Sequence, residues 1–220
     1  MGLRSFLLDA IQPFGVRFFR REFGDRPFKL LDIGVGNHAA TFMTERLPGC
    51  EYYGVDITRH YNNNEADFDR MKQFWEMDLT QLRFDPIPDQ YFDALHLSHV
   101  IEHLHNGDLV LEGLLAKLKP GGVAYIEYPR FKSTGLPSMR ETLNFFDDDT
   151  HVRIYTLAEI YNIFLKKGCR LIRGGVRRNW TTILLMPVQV PRMWLKRGYS
   201  VGADFWDLLG FAEFAYFRKV

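Results

Sequence analysis

Ten residues, Lys29–His38, constrain the fold of this chain more than any other segment. They read Lys-Leu-Leu-Asp-Ile-Gly-Val-Gly-Asn-His, so an apolar run ends in Asp32 and glycines follow at positions 34 and 36. This pattern is typical of a buried strand that turns sharply into a helix. A second apolar run, Tyr52–Asp56, again ends in an acid. The two segments predict consecutive strands of an α/β fold.

The same two segments indicate a site for a nucleoside cofactor. Strand, glycine turn, helix, strand and acid is the layout of such sites in α/β proteins. A turn built from Gly34 and Gly36 lets the backbone approach a ligand closely, and a carboxylate such as Asp56 accepts hydrogen bonds from ribose hydroxyls. A tight turn of any α/β protein would explain the glycines alone. The acid Asp56, at the end of the second apolar run, favours the cofactor site.

Apolar runs and helical periodicity alternate along the rest of the chain. They predict an α/β, Rossmann-like, doubly wound fold with a seven-stranded, mostly parallel sheet, helices on both faces and an antiparallel last strand. The predicted strands are 28–32, 51–56, 73–77, 92–97, 122–128, 169–176 and 211–218, and the predicted helices are 39–47, 66–71, 107–118 and 156–167. Residues 180–186 compete with 211–218 for the seventh strand. In such sheets ligands bind at the carboxyl ends of the strands.

Length and composition indicate one globular domain over residues 1–220. Its predicted parts are a helical cap (1–27), a cofactor-binding core (28–178), a helical insertion (179–210) and a final strand (211–220). The first 21 residues are rich in phenylalanine and arginine. They fit contact with an anionic membrane surface or a helix over a ligand pocket, and we favour the helix.

Charge and cysteine content exclude several classes of protein. The 28 basic and 27 acidic side chains nearly cancel, which argues against nucleic acid as a partner. The two cysteines, Cys50 and Cys169, match no metal or redox spacing and indicate a reduced compartment. We find no signal peptide and no apolar run long enough to cross a bilayer. A cytoplasmic protein is therefore expected.

Five segments together resemble the class I S-adenosylmethionine-dependent methyltransferases, in particular the small-molecule and ubiquinone-biosynthesis-like group. Leu30–Gly36 resembles the first motif of that family, Gly54–Ile57 the second and Met77–Leu79 the third. Phe92–Leu95, continuing through Ser98 to Leu104, resembles the fourth, and Leu118–Gly122 opens a fifth strand. A nicotinamide-binding domain is the main competitor, but it would not need Asp78 or the Leu-Lys-Pro-Gly-Gly run.

The resemblance implies S-adenosylmethionine as cofactor, with S-adenosylhomocysteine as product, and gives roles to eight residues. Asp32 would receive the ammonium group of the cofactor directly or through water, beside the glycine turn. Asp56 would bind the ribose, Ile57 would pack on the adenine, and Asp78 would accept from the adenine amino group. The implied cofactor-binding residues are Asp32, Gly34, Gly36, Asp56, Ile57, Asp78, Leu79 and Ser98.

One position departs from the family pattern, because His38 stands where glycine is common. Its side chain could crowd the cofactor or donate to its carboxylate, but we favour a role for Asn37 and His38 in capping the following helix. The alternative role for Asp78 is likewise a cap or turn acid.

Candidate catalytic residues follow the fourth and fifth strands. His99, Glu102 and His103 would share one face if the chain turns helical there. His151 is the leading candidate for a base, assisted by His103 or Glu102, because the ordinary pKa of histidine suits proton transfer near neutrality. Loop residues Asp147–Asp149 could accept sugar hydroxyls.

We therefore predict a methyltransferase that modifies a small metabolite or a glycan or lipid-linked precursor, at oxygen, without a metal ion. Two alternatives stay open. One is a metal-dependent RNA 2′-O-methyltransferase, because His99, Glu102, His103 and His151 resemble the Glu-x-x-Glu-His…His metal site of that group, with His99 replacing the first glutamate. The other is a non-catalytic scaffold that keeps the fold.

Overall fold

Seven strands and seven α-helices make up the part of the chain that the computed structural model describes, residues 12–220. In chain order the elements are α1 (Phe14–Phe23), β1 (Phe28–Ile33), α2 (Ala39–Arg46), β2 (Cys50–Asp56), α3 (Glu65–Asp69), β3 (Met71–Glu76), β4 (Phe92–Ser98), α4 (Gly107–Lys117), β5 (Leu118–Pro129), α5 (Leu157–Lys166), β6 (Cys169–Val176), α6 (Trp180–Arg197), α7 (Trp206–Leu209) and β7 (Ala212–Lys219).

The strands form one sheet in the order β3-β2-β1-β4-β5-β7-β6. Strands β3, β2, β1, β4 and β5 are parallel, whereas β7 lies antiparallel between β5 and β6. The predicted fold class, with its antiparallel last strand, is confirmed. Because β6 is antiparallel to β7, it runs in the same direction as β5. The order reverses beside β1 and β4, where a doubly wound sheet binds its ligand.

The apolar runs that predicted the strands form the sheet core, because Leu30, Leu31, Val55, Leu95 and Ile126 are buried along them. Of the two candidates for the seventh strand, the structure confirms residues 211–218 and not residues 180–186. The latter begin helix α6, where Asn179 caps the first turn by accepting from the amides of Thr181 and Thr182. The seventh strand is β7, as the prediction for residues 211–218 has it.

Helix α1 packs its aromatic face on the sheet. Phe19 is fully buried, and Phe18 stacks on Tyr216 with ring centroids 4.7 Å apart. A helix was predicted in this region, and its described part, α1, lies against the sheet face. Residues 1–11 of the predicted cap lie outside the described residues. Among residues 12–220 no helix has both the length and the apolar content that a membrane span needs.

The segment after β4 is not an extended helix. His99 adopts the left-handed conformation, with a φ of 54°, and only one 3-10 turn, Ile101–His103, follows. His99 therefore does not share a helical face with Glu102 and His103, contrary to the prediction.

Candidate functional site

A cavity of about 690 Å³ opens at the carboxyl edge of the parallel strands, a volume that is ordinary for a ligand site. It brings together most of the residues that the sequence singled out. Its walls include Gly34, Gly36, Asp56, Ile57, Asp78, Leu79, Ser98, His99, His103 and His151. Segments that are far apart in the chain meet here because each follows the end of a neighbouring strand.

The glycine turn is closely packed on both sides. A Cβ atom on Gly34 would lie 2.5 Å from Val100 Cγ2, and one on Gly36 would lie 2.2 Å from Tyr61 Cδ1. Gly34 also has a φ of 78°, a conformation that other residues adopt at a cost. The amide of Asn37 donates to the carbonyl of Tyr61 at 2.9 Å, which holds the segment around Tyr61 over the turn.

Asp32 is placed differently from the other predicted cofactor residues. It is 2% exposed and lines a smaller neighbouring cavity, not the main one. One carboxylate oxygen accepts from the Tyr52 hydroxyl at 2.6 Å, and the other faces Nδ1 of His96 at 2.7 Å. Burial opposes a charge on His96, but Asp32 outweighs it and raises the pKa of the imidazole. These contacts leave no carboxylate oxygen of Asp32 without a protein partner.

Asp56 and Ile57 stand at the end of β2 as the layout requires. Burial raises the pKa of Asp56, and backbone amides of Thr58, Ile57 and the glycine turn partly offset this effect. Ile57 is 67% exposed within the cavity wall, so its side chain offers apolar surface to a ligand. An acid beside an apolar side chain and a turn without Cβ atoms suits a ribose and a purine.

Asp78 combines a capping role with a place in the cavity wall. Its Oδ1 accepts from the amide and hydroxyl of Thr80 at 2.9 and 2.6 Å, and these bonds lower its pKa. Asp78 caps the turn Leu79–Gln81, which is the alternative role that the sequence offered for this acid. Leu79 is buried beside it and Ser98 is half-buried at the end of β4.

His38 neither crowds the main cavity nor caps the next helix through its side chain. It occupies the cap position of α2 in the left-handed conformation, with no side-chain capping bond. Its Nδ1 instead lies 2.7 Å from a carboxylate oxygen of the buried Asp67. His38 therefore takes the cap position as expected, but its side chain does not cap the helix and instead joins α2 to α3 through this contact.

His99 lies between two buried carboxylates. Its Nδ1 is 3.2 Å from Glu102 Oε1 and its Nε2 is 3.2 Å from Glu127 Oε1. Burial disfavours a charge on the ring, but the two acids outweigh it and raise the pKa of His99 to about 9. The imidazolium form then donates from both nitrogens.

Glu127 is the centre of this ion network. Arg177 donates to it at 3.0 Å and the Tyr125 hydroxyl donates at 2.5 Å. Burial alone would raise the pKa of Glu127, yet Arg177 and His99 lower it to about 2. Both nitrogens of His99 are thus engaged, so His99 does not join the other three residues of the suggested metal pattern.

Glu102, His103 and His151 do converge. One nitrogen of each imidazole and one oxygen of Glu102 lie within 4.8 Å of one another. Glu102 is 1% exposed, and within the described part of the chain its Oε2 has no hydrogen-bond partner. The two histidine rings are 4.8 Å apart between centroids. All three predicted catalytic residues therefore belong to one cluster at the cavity.

Hydrogen bonds set the tautomer of both histidines. His151 Nδ1 is 2.7 Å from the Phe145 carbonyl, which can only accept, so Nδ1 carries the proton. The Thr150 hydroxyl donates to Asp148 at 2.5 Å and therefore accepts from His103 Nδ1 at 2.8 Å. In the neutral form of each ring, Nε2 keeps the free lone pair.

The loop between β5 and α5 is organised by Asp147. Its carboxylate accepts from the Ser138 hydroxyl and from the amides of Met139, Leu143 and Asn144, the last at 2.8 Å. Burial opposes its charge, but these donors lower its pKa to about 2. Asp147 therefore holds the loop together, and its suggested role toward sugar hydroxyls is not realised in this geometry.

Several residues of the site had not been predicted. Tyr61, Thr142, Trp206 and Phe211 line the cavity, and His96, Glu127 and Arg177 support it from below. A weak signal existed for His96, because it is a polar residue inside an apolar strand. The same signal existed for Glu127, which lies within the apolar strand β5. The others come from loops, from the end of β6 and from α7, whose positions depend on the tertiary fold.

Comparison with known proteins agrees with this geometry. The family described as "Methyltransferase domain" matches residues 3–173, more than half of the chain. The ubiquinone biosynthesis O-methyltransferase of rat mitochondria is 29% identical over 105 residues, which cover 44% of this chain and 30% of the length of the rat protein.

Two solved structures share the fold. A candidate sarcosine dimethylglycine methyltransferase from Galdieria sulphuraria has a TM-score of 0.64 at 18% identity and covers 98% of this chain and 86% of that one. The phosphoethanolamine N-methyltransferase 2 of Haemonchus contortus, in complex with S-adenosylhomocysteine, has a TM-score of 0.62 at 18% identity. The match covers 93% of this chain and 52% of that one. The glycine turn, Asp56 and the apolar wall fit the same cofactor. This chain belongs to the methyltransferase domain family and is an S-adenosylmethionine-dependent methyltransferase.

Proposed function

We propose that this enzyme methylates an oxygen atom of a small metabolite or of a glycan or lipid-linked precursor, with His151 as the general base. The bond from His151 Nδ1 to the Phe145 carbonyl carries the proposal, because it leaves Nε2 beside the cavity without a hydrogen bond among the described residues, with Asp148 Oδ2 3.8 Å away. The name of the rat relative, an O-methyltransferase, supports oxygen as the acceptor atom.

The base is needed because a neutral hydroxyl is a poor nucleophile. S-adenosylmethionine supplies the methyl group and a sulfonium leaving group when bound, so the protein has to align the acceptor and take its proton. His151 takes the proton on Nε2. Burial of the ring, whose side chain is 5% exposed, fixes its direction. His103 and Glu102 stand next to it and orient the acceptor or stabilise the imidazolium.

The test is transfer of labelled methyl from S-adenosylmethionine into a fractionated cell lysate. We expect label in the small-metabolite, sugar or lipid fraction. His151→Asn keeps a donor toward the Phe145 carbonyl and removes the base, so it should lower the rate by roughly 100-fold or more. Its affinity for S-adenosylhomocysteine should stay unchanged. An unchanged rate would exclude His151 as base, and label that RNase removes would favour the RNA alternative.

A second candidate, metal-assisted transfer, is favoured by one observation. Glu102 Oε2 is buried without a partner beside two histidines, and a carboxylate with two imidazoles is a common ligand set for divalent transition metals. A cation there would lower the pKa of an acceptor hydroxyl. Glu102, His103 and His151 would hold it, and His99 would orient Glu102.

Calorimetry with Mn²⁺ separates the two candidates. The metal candidate requires saturable binding that Glu102→Gln abolishes and that Glu112→Gln, a change of a half-buried acid on α4, leaves intact. Absence of binding, together with full activity in a chelator, would leave His151 as the base.

A further inference from the structure

Charge is distributed very unevenly along this chain. Residues 160–203 contain nine lysines and arginines and no acid, although the net charge of the whole chain is only +1. The basic residues are Lys166, Lys167, Arg170, Arg173, Arg177, Arg178, Arg192, Lys196 and Arg197. The near-balance of the overall composition therefore hides a basic segment, which ends in helix α6.

Helix α6 exposes most of its large apolar side chains. Of its 18 residues, Met186 is the buried one. Trp180, Leu184 and Val188 follow one another at helical spacing and are 65%, 78% and 70% exposed. Trp194 and Leu195 continue the same face at 52% and 77%. An apolar face of this size on the surface indicates an interaction site. We call these five residues the α6 face.

Two unpaired cations lie beside this face. Arg192 and Lys196 are exposed, and over residues 12–220 neither has a hydrogen bond or an ion pair. Arg197, by contrast, faces Asp204 at 3.4 Å. Tryptophans near both ends, aliphatic side chains between them and cations at the flank are the features of a helix that lies in a membrane interface.

We propose that the α6 face docks on an anionic lipid bilayer. A bilayer satisfies both features at once, because Leu184 and Val188 enter the acyl boundary while Arg192 and Lys196 meet lipid phosphates. Nucleic acid would leave the apolar side chains in water. A second copy of this helix would bring like charges together.

The position of α6 relates this surface to the active site. The helix follows β6, which ends at the same edge of the sheet as β5. The chain then continues into α7, where Trp206 lines the main cavity. Helices α6 and α7 also pack against each other, so the helix that carries the α6 face is in contact with one that lines the cavity. Bilayer binding itself needs neither cofactor nor acceptor, so it is independent of the proposed reaction.

Sedimentation of the full chain with vesicles tests the proposal. We expect binding at low salt to vesicles that contain phosphatidylglycerol and none to vesicles of phosphatidylcholine alone. Leu184→Glu with Val188→Glu should lower the bound fraction roughly tenfold or more. Leu165→Glu, a matched change at a 52% exposed leucine on α5, should have no effect. Unchanged affinity for S-adenosylhomocysteine shows that each variant is folded.

A second pair of variants tests the charges. Arg192→Glu with Lys196→Glu should weaken binding and its dependence on salt, whereas Lys72→Glu, an exposed lysine on β3, should not. The proposal is wrong if the parent protein does not sediment with anionic vesicles. It is also wrong if only the charge variant weakens binding. If the parent protein does not bind vesicles and the α6-face variant abolishes self-association in ultracentrifugation, the proposal is wrong as well.

Discussion

The ring of Tyr61 lies directly over Gly36, so that a Cβ atom on this glycine would be 2.2 Å from the ring and 3.0 Å from the Tyr61 carbonyl. The backbone of the cofactor turn and the segment after β2 are thus in contact. The amide of Asn37 reinforces the contact through its bond to the same carbonyl. The shape of the turn depends on this packing as well as on glycine.

Gly36→Ala is therefore expected to displace Tyr61 and to weaken S-adenosylhomocysteine binding roughly tenfold, or about 1.4 kcal/mol, in calorimetry. Gly135→Ala is the control, because a Cβ there meets nothing within 4 Å. Equal affinities of the two variants would show that the close approach of Tyr61 has no role in binding.

Asp56 should contribute more than its neighbours to cofactor binding. Asp56→Asn removes a charged acceptor from the ribose position, and we expect affinity for S-adenosylhomocysteine to fall by about 30-fold, or ~2 kcal/mol. Asp69→Asn, an exposed acid at the end of α3, should bind like the parent protein. Parent-like binding by the Asp56 variant would contradict the assignment of the cofactor site.

His99 makes stability depend on pH in the neutral to alkaline range. Its folded pKa, about 9, exceeds its ordinary value of 6.5. The stabilisation is therefore complete below pH 6.5 and is lost as the pH rises through about 9. The free energy of unfolding in urea should fall by about 3 kcal/mol across this window.

His99→Asn keeps a residue that tolerates the left-handed backbone and should remove this pH dependence. His60→Asn, a change of an exposed histidine, should retain it. A pH profile of the His99 variant that matches the parent would mean that the ion network is not the source.

Asp147 should control the order of the loop between β5 and α5. Asp147→Ala removes a charged acceptor from three amides and one hydroxyl, and we expect a loss of about 2 kcal/mol and faster amide exchange at Met139, Leu143 and Asn144. Asp149→Ala, two residues away and exposed, should change neither.

Because the pKa of Asp147 is lowered from 3.8 to about 2, its contribution is present above pH 3.8 and is lost as the pH falls through about 2. Slow amide exchange in the Asp147 variant at neutral pH would show that other contacts hold the loop.

Strands β1, β2, β4 and β5 could be predicted because burial on both faces requires continuous apolar runs, whereas the edge strands β3 and β6 carry exposed residues. Residues 180–186 show the limit of that reasoning. An apolar run of seven residues fits a buried strand and the start of an exposed helix equally well, and Asn179 was the one local signal for the helix.

The cavity residues could be predicted for the same reason, since they follow strand ends. The pairing of Asp32 with His96 could not, because it depends on β1 lying next to β4, where the two residues stand opposite each other. The partners of His99 were missed because a single left-handed residue redirects its side chain to Glu127.

The antiparallel strand has a consequence for how the molecule assembles during synthesis. Strands β1 to β5 can pair soon after they leave the ribosome, because each of β2 to β5 finds a neighbour among the strands already made. Strand β6 cannot, because its partner β7 is synthesised after α6 and α7. The far edge of the sheet, with Arg177 at its end, is therefore completed last. Until then Glu127 lacks its guanidinium partner. A nascent chain that stops before Ala212 would have the glycine turn of the cofactor site but not the completed far edge of the sheet.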